Sequence, residues 1–348
     1  MKERTIRECM AKMTRKQVTS MAFRLNLDPP PRRARDLLVW RDELAEQLPD
    51  MGARVRECLG LAGIKKLRVC LEQRDGVWMA HRSLVAAKEA ERTFATLKML
   101  ALAWSDRQNW YVQGCLMKML IVPHGEKRLL DASDDLEKVM RGYLLHFGML
   151  RAEELQKMII NRDDAETVNV LLAVWARRRG LEGVLMAENE VWLMSDRLQE
   201  PDELYKQVNR PDRRLLPYAK VTEDQARGAE KLGVTGDPEL VTRLLELGKR
   251  VRSAPQRMLL LIAAGETAYN VDDRQQAATA MCLDFEGTRY AQLGEMLVNR
   301  YLNTVPVWYV KGHTMAEARQ EDRTAAKWNE PCPCGSGRKY GQCCGNFQ

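Results

Sequence analysis

The chain has 348 residues, 45% of them hydrophobic and 30% charged, with a formal net charge of +7 at pH 7. That composition excludes disordered and collagen-like chains and supports ordinary hydrophobic cores, arranged in about two or three domains. No apolar run approaches the ~18–20 residues that a membrane helix needs, and the opening residues are charged rather than apolar, so a cytoplasmic location is expected.

The charge is uneven. Residues 1–35 hold ten Lys or Arg against three Asp or Glu, which accounts for the whole basic excess. Two short helices are expected in this basic element. Thr14 would be the N-cap of the second, and Val18, Met21, Ala22 and Leu25 would line one face of it. Asp28-Pro29-Pro30-Pro31 then forces an extended break. Arg15, Lys16, Arg32, Arg33 and Arg35 form either a solvated face or a patch that attracts phosphate backbones. Residues 14–27 resemble the helix–loop–helix modules of the N-terminal domain of Rho and of SAP domains, a resemblance that implies nucleic-acid contact.

A helical module with a β-hairpin is expected over residues 36–142. Helices are read at 37–48 and 53–62. Leu67, Val69 and Leu71 alternate with polar partners and suggest a strand, Asp75-Gly76 marks a turn, and a second strand follows at 77–80. Residues 83–104 read as one long helix. The order recurs over residues 143–200: helices at 144–149, 151–159 and 165–179, then a hairpin of 183–187 and 190–194 around Glu188-Asn189. Helix, helix, helix, hairpin resembles a winged helix. The first turn of its third helix, however, carries Asp163, Asp164 and Glu166, which phosphate would repel. Val168, Leu171, Leu172 and Trp175 then belong to a core face, and the module reads as scaffold or protein-docking unit. Arg177-Arg178-Arg179 at the helix end either caps exposed carbonyls or clamps phosphate.

Residues 201–220, rich in proline and charge, read as a surface connection. A helical domain is expected over 221–328, opened by a capping box of Thr222 and Gln225. Residues 303–313 interrupt it, with Trp308 packing on the helices.

Nothing in this body announces catalysis. His81, His124, His146 and His313 lack the spacing of a helical metal pair, and there is no phosphate loop, dinucleotide fingerprint or nucleophile elbow. The pairs Asp134-Asp135, Asp163-Asp164 and Asp272-Asp273 read as helix caps, since neighbouring side chains on a helix point apart. A non-enzymatic protein is expected.

The chemistry lies in residues 329–348. Four of the nine cysteines, Cys332, Cys334, Cys343 and Cys344, fall within thirteen positions, spaced C-x-C-x8-C-C. Two short thiolate pairs joined by a turn-forming Gly335-Ser336-Gly337 suit tetrahedral Zn2+, with no ligand position left for water. Metal would also be the folding energy of so short a tail, which cannot bury a core. The other five, Cys9, Cys58, Cys70, Cys115 and Cys282, are scattered and read as packing residues. The run from Pro331 to Gly345 resembles the SEC-C motif, the zinc-binding tail of the SecA translocation ATPase and of many bacterial proteins, including YecA-like ones. Residues 303–313 are similar to the segment preceding that tail in some of them. The resemblance implies zinc and contact with a macromolecular partner (protein, ribosome or nucleic acid), with Arg338, Lys339 and Tyr340 as the partner-binding side chains.

The expected architecture is therefore mainly α with short β-hairpins in winged-helix-like modules, plus a small C-terminal zinc-binding motif. The expected function is a zinc-binding adaptor whose tail docks a partner. The alternative is a nucleic-acid-binding regulator that uses the basic N-terminus or the winged-helix-like modules.

Overall fold

A computed structural model describes residues 5–74, 77–82, 88–159, 165–180, 183–188, 190–214, 216–251, 257–258, 261–262, 271–318, 331, 337–339 and 342. The protein is mainly helical, with two small sheets. In chain order the elements are α1 (Ile6–Ala11), α2 (Arg15–Arg24), α3 (Ala34–Gln47), α4 (Gly52–Cys70), β1 (Glu72–Arg74), β2 (Val77–His81), α5 (Lys88–Met99), β3 (Ala103–Ser105), β4 (Asn109–Val112), α6 (Leu116–Met119) and α7 (His124–Phe147). They continue with β5 (Met149–Arg151), α8 (Ala152–Ile159), α9 (Ala165–Arg179), β6 (Val184–Ala187), β7 (Glu190–Met194), α10 (Pro201–Val208), α11 (Pro211–Arg214), α12 (Glu223–Leu232), α13 (Pro238–Arg250), α14 (Val271–Leu283) and α15 (Ala291–Thr304). No helix among the described residues is long and apolar enough to cross a membrane. Two compact units emerge, one of residues 1–137 and 155–185, the other of residues 138–154 and 186–348.

In the first unit the local signals at the N-terminus act as the sequence suggests. Thr14 accepts from the Gln17 backbone N–H at 3.3 Å, while the Gln17 side chain accepts from Thr14 N–H at 2.8 Å. An earlier box of the same kind, Thr5 with Glu8, starts α1. Val18, Met21, Ala22 and Leu25 are all buried. The core gathers Met21, Leu25, Leu48, Ile64 and Leu67 with Phe94, Leu97 and Leu100 of α5 and the following turn.

The expected strand at 67–71 is instead the end of α4. Ile64, Leu67 and Cys70 recur at helical spacing and are buried, whereas Val69 is 82% exposed, so the alternation had no common face. The hairpin starts after it, with β1 and β2 antiparallel and Arg74 opposite Val77 around the expected turn. The long helix expected at 83–104 stops at Met99. Ala101 takes a left-handed φ of 58°, and the chain returns as β3, giving a four-stranded sheet in the order β1-β2-β4-β3. The turn that closes β3 on β4 is held by Asp106, whose carboxylate accepts from the N–H groups of Gln108 (2.8 Å) and Asn109 (2.7 Å) and from the Tyr111 hydroxyl (2.8 Å). These bonds keep the half-buried Asp106 carboxyl below its usual range.

In the second unit, the residues expected as a helix at 144–149 are the last turn of α7 and then a strand. Gly148, with φ 70°, ends the helix, and β5 pairs antiparallel with β7, Met149 facing Met194. The division between units falls within β6, the third strand in the order β5-β7-β6. Residues 201–217 also depart from expectation: Pro201 opens α10 rather than a linker, and Leu204 and Val208 are fully buried beneath it. Proline at the first helical position loses no hydrogen bond, so it starts helices as readily as it breaks them. The Thr222–Gln225 capping box forms as expected, and Leu240, Leu244 and Leu247 of α13 pack with Leu297, Val298 and Tyr301 of α15.

Residues 305–313 tie this unit together. Trp308 is 1% exposed, and its indole N–H donates to Leu145 O at 2.9 Å. Gly148 lies flat against its ring, and Gly312, with φ 80°, lies against Phe147, so neither position has room for a Cβ. Lys311 donates its ammonium to Arg214 O (3.0 Å) and Leu216 O (2.8 Å), and burial lowers its pKa to about 8.

Candidate functional site

Most of the expected zinc site lies outside the described residues: Cys332, Cys334, Cys343, Cys344 and Tyr340. The described positions between and beside them outline a closed turn. Pro331 and Lys339 form an antiparallel bridge, Gly337 takes φ 71°, and Gln342 N–H donates to Lys339 O at 2.9 Å. The bridge involves the residue just before Cys332, and Gln342 just precedes Cys343 in sequence. Arg338 and Lys339 are exposed on that turn. Four thiols within thirteen positions fit a structural Zn2+ site: soft donors, a full set, and two cations close in sequence to offset the negative charge of four thiolates on one divalent ion. Among the described residues there is no cluster of His, Cys, Asp or Glu able to hold a metal.

The basic N-terminal candidates are brought together. Arg15 donates to Arg32 O and Pro31 O, each at 2.6 Å, which pins the proline turn against the start of α2. Lys16, Arg32, Arg33 and Arg35 are exposed beside it. Arg15 thus serves as the clasp that gathers the others.

Arg177 and Arg178 are turned to other partners than the end of their own helix. Arg178 is buried and bonds to Asp134 (2.7 Å), Glu137 (3.1 Å) and the Glu57 carbonyl (2.6 Å), while Arg177 pairs with Glu57 at 2.8 Å. The cap comes from α2: Arg24 donates to the carbonyls of Arg178 and Arg179. Asp134 corrects a second expectation. It sits within α7 and caps a different helix, accepting from Ala62 N–H at 2.8 Å just past the break at Gly60, where φ is 69°. Arg178 holds the carbonyl end of the first half of α4 and Asp134 the amide end of the second. The other two acidic pairs, at 163–164 and 272–273, lie where the residues or their side chains are outside the description. Cys58 donates to Arg24 O at 3.2 Å, and burial lifts its pKa to about 11, so it is a packing thiol.

The second unit also holds a cavity of about 820 Å3, lined by His146, Tyr218, Asp224, Thr235, His313 and Glu317 among others. His146 Nε2 is sheltered without a hydrogen-bond partner, and burial lowers the imidazole pKa to about 4, leaving it neutral near pH 7. His313 is held by Pro217 O at 2.9 Å. The lining gives no nucleophile–base pair.

Comparison with curated proteins and with solved structures finds no match to the chain. A family model does match its end: residues 329–346, which contain the closed turn and all four clustered cysteines, carry the SEC-C motif.

Proposed function

We propose that this protein is a non-enzymatic adaptor of the cytoplasm, in which a SEC-C tail folded around Zn2+ docks a macromolecular partner, whether protein, ribosome or nucleic acid. Cys332, Cys334, Cys343 and Cys344 hold the metal as thiolates, which persist in a reducing compartment. When bound, the ion supplies the folding energy of the tail and no reaction. The chain's own part is presentation: the turn closed by Pro331 and Lys339 displays Arg338 and Lys339, with Tyr340 next in sequence. A planar guanidinium beside an aromatic suits acidic side chains, phosphate and stacked bases. The single observation that carries this reading is the SEC-C match over residues 329–346, supported by the Pro331–Lys339 bridge beside the cysteines. The test is crosslinking with mass spectrometry on the intact chain, with and without a chelator, and on a chain lacking residues 329–348. A crosslinked partner that disappears in both treatments supports the reading, and an unchanged partner set overturns it.

The second reading, a nucleic-acid-binding regulator, draws on the gathering of Lys16, Arg32 and Arg33 around the Arg15 clasp. It also draws on the strand, helix, helix, hairpin order of 149–194, in which β5 pairs with β7 as in a winged-helix-like module. It requires binding that weakens steeply with salt and on neutralising Arg15, Lys16, Arg32, Arg33 and Arg35. Binding insensitive to salt would remove it.

A further inference from the structure

The first unit carries an apolar and basic surface that belongs to neither reading. Arg68 of α4 donates to Leu120 O at 2.7 Å, which sets the segment carrying Val69 beside the segment carrying Ile121. Both aliphatics project into solvent, Val69 at 82% and Ile121 at 63% exposure, and Leu129 of α7 adds a third at 36%. Exposed cations occupy the same segments, Lys65 and Arg68 in α4, Lys118 ahead of Ile121, and Lys127 and Arg128 next to Leu129, and they outnumber the exposed acids there, Glu72 and Asp131. Glu126, the acidic residue in the first turn of α7, is taken by Arg56, bonded at 2.7 and 2.6 Å. Lys127 and Arg128 also sit near the positive end of a 24-residue helix, where cations oppose the macrodipole. That placement costs stability and raises the local positive potential.

We propose that this surface docks on an anionic lipid bilayer, with Val69, Ile121 and Leu129 entering the acyl boundary and the five cations meeting headgroup phosphates. Nucleic acid would use the charges but has no need of three exposed aliphatics. An apolar partner helix would need a concave seat, whereas Val69 and Ile121 stand out as knobs. Short apolar tips in segments rich in exposed Lys and Arg match the interfacial layer, where long cationic side chains reach phosphate while their stems remain in apolar surroundings.

The test is flotation of the full chain with vesicles of phosphatidylcholine alone and of an equal mixture with phosphatidylglycerol. Binding is expected to the mixed vesicles only. Val69→Ser with Ile121→Ser, both at exposed positions, should weaken partition about tenfold with the thermal transition unchanged. Lys65→Gln, Lys118→Gln, Lys127→Gln and Arg128→Gln together should weaken it about a hundredfold or more. Two controls, the charge-matched Lys16→Gln with Arg32→Gln, Arg33→Gln and Arg35→Gln, and the smaller Arg338→Gln with Lys339→Gln, should leave most of the binding in place. The proposal is overturned by equal binding to both vesicle types, by loss in the controls as large as in the patch variants, or by no effect of the Val69 and Ile121 changes. Capture of RNA or an acidic peptide with no vesicle binding overturns it as well.

Discussion

Arg178 and Asp134 meet at 2.7 Å beside Gly60, where α4 breaks, and each also bonds to the backbone of that broken helix. One ion pair thereby satisfies a carbonyl and an amide that a continuous helix would have paired internally. Gly60 is required there: its φ of 69° lies in the left-handed region, and a Cβ would run into both Asp134 and Arg178.

Removing Asp134 leaves the buried Arg178 guanidinium with Glu137 as its remaining carboxylate and takes the acceptor from the Ala62 amide. Asp134→Ala should destabilise the first unit by about 2–3 kcal/mol in urea unfolding, since Arg178 loses its shorter ion pair and the Ala62 amide its acceptor together. Asp134→Ala with Arg178→Met should cost clearly less than the two single changes summed. Additive losses would show that the pair is not coupled.

Gly148→Ala should destabilise the second unit by roughly 2 kcal/mol or more, because it imposes a side chain on a φ of 70° and drives it into the Trp308 ring. Trp308→Phe keeps most of the packing and loses the bond to Leu145 O, so about 1–2 kcal/mol is expected. Near-ultraviolet circular dichroism during thermal unfolding separates the two, and a wild-type transition in Gly148→Ala would contradict this packing.

The burial of His146 gives stability a pH dependence of definite sign. The folded-state pKa, about 4, lies below the ordinary value of 6.5, so below that value the unfolded chain binds the proton more readily. The contribution of the neutral imidazole is complete above pH 6.5 and is lost progressively as pH falls from 6.5 to about 4. His146→Gln should flatten that part of the stability curve. A curve as steep as that of the unmodified protein would assign the loss to other groups.

Purified under reducing conditions, the chain should contain one equivalent of zinc, and Cys332→Ser or Cys344→Ser should sharply lower it. Stripping the metal should abolish amide-exchange protection around Lys339 and Gln342 while leaving the helical body protected. Protection in the tail that survives a chelator would show that the turn is held by something else.

Helix starts at Thr14 and Thr222 were legible in the sequence because a capping box is a contact between residues three apart. The SEC-C tail was legible for the same reason: four thiols and their glycines lie in one short run. The ends of α4 and α5 were not, since Leu67, Cys70 and Leu102 are apolar under either a strand or a helix reading, and only the surfaces they meet choose between them. The patch at Val69 and Ile121 left no periodic signal, because its two halves lie in separate segments joined by Arg68.

By itself the sequence determined the helical character, the basic N-terminus and the cysteine spacing, all of which depend on local covalent order and local hydrogen bonding. Tertiary structure alone decided that Asp134 caps a helix it does not belong to, that Arg24 reaches the carbonyls at the end of α9, and that Gly148 must leave space for Trp308. Those assignments depend on partners 72 to 160 residues away and roughly 3 Å apart, and a burial or a charge pair has no sign in sequence until folding brings the second group into contact.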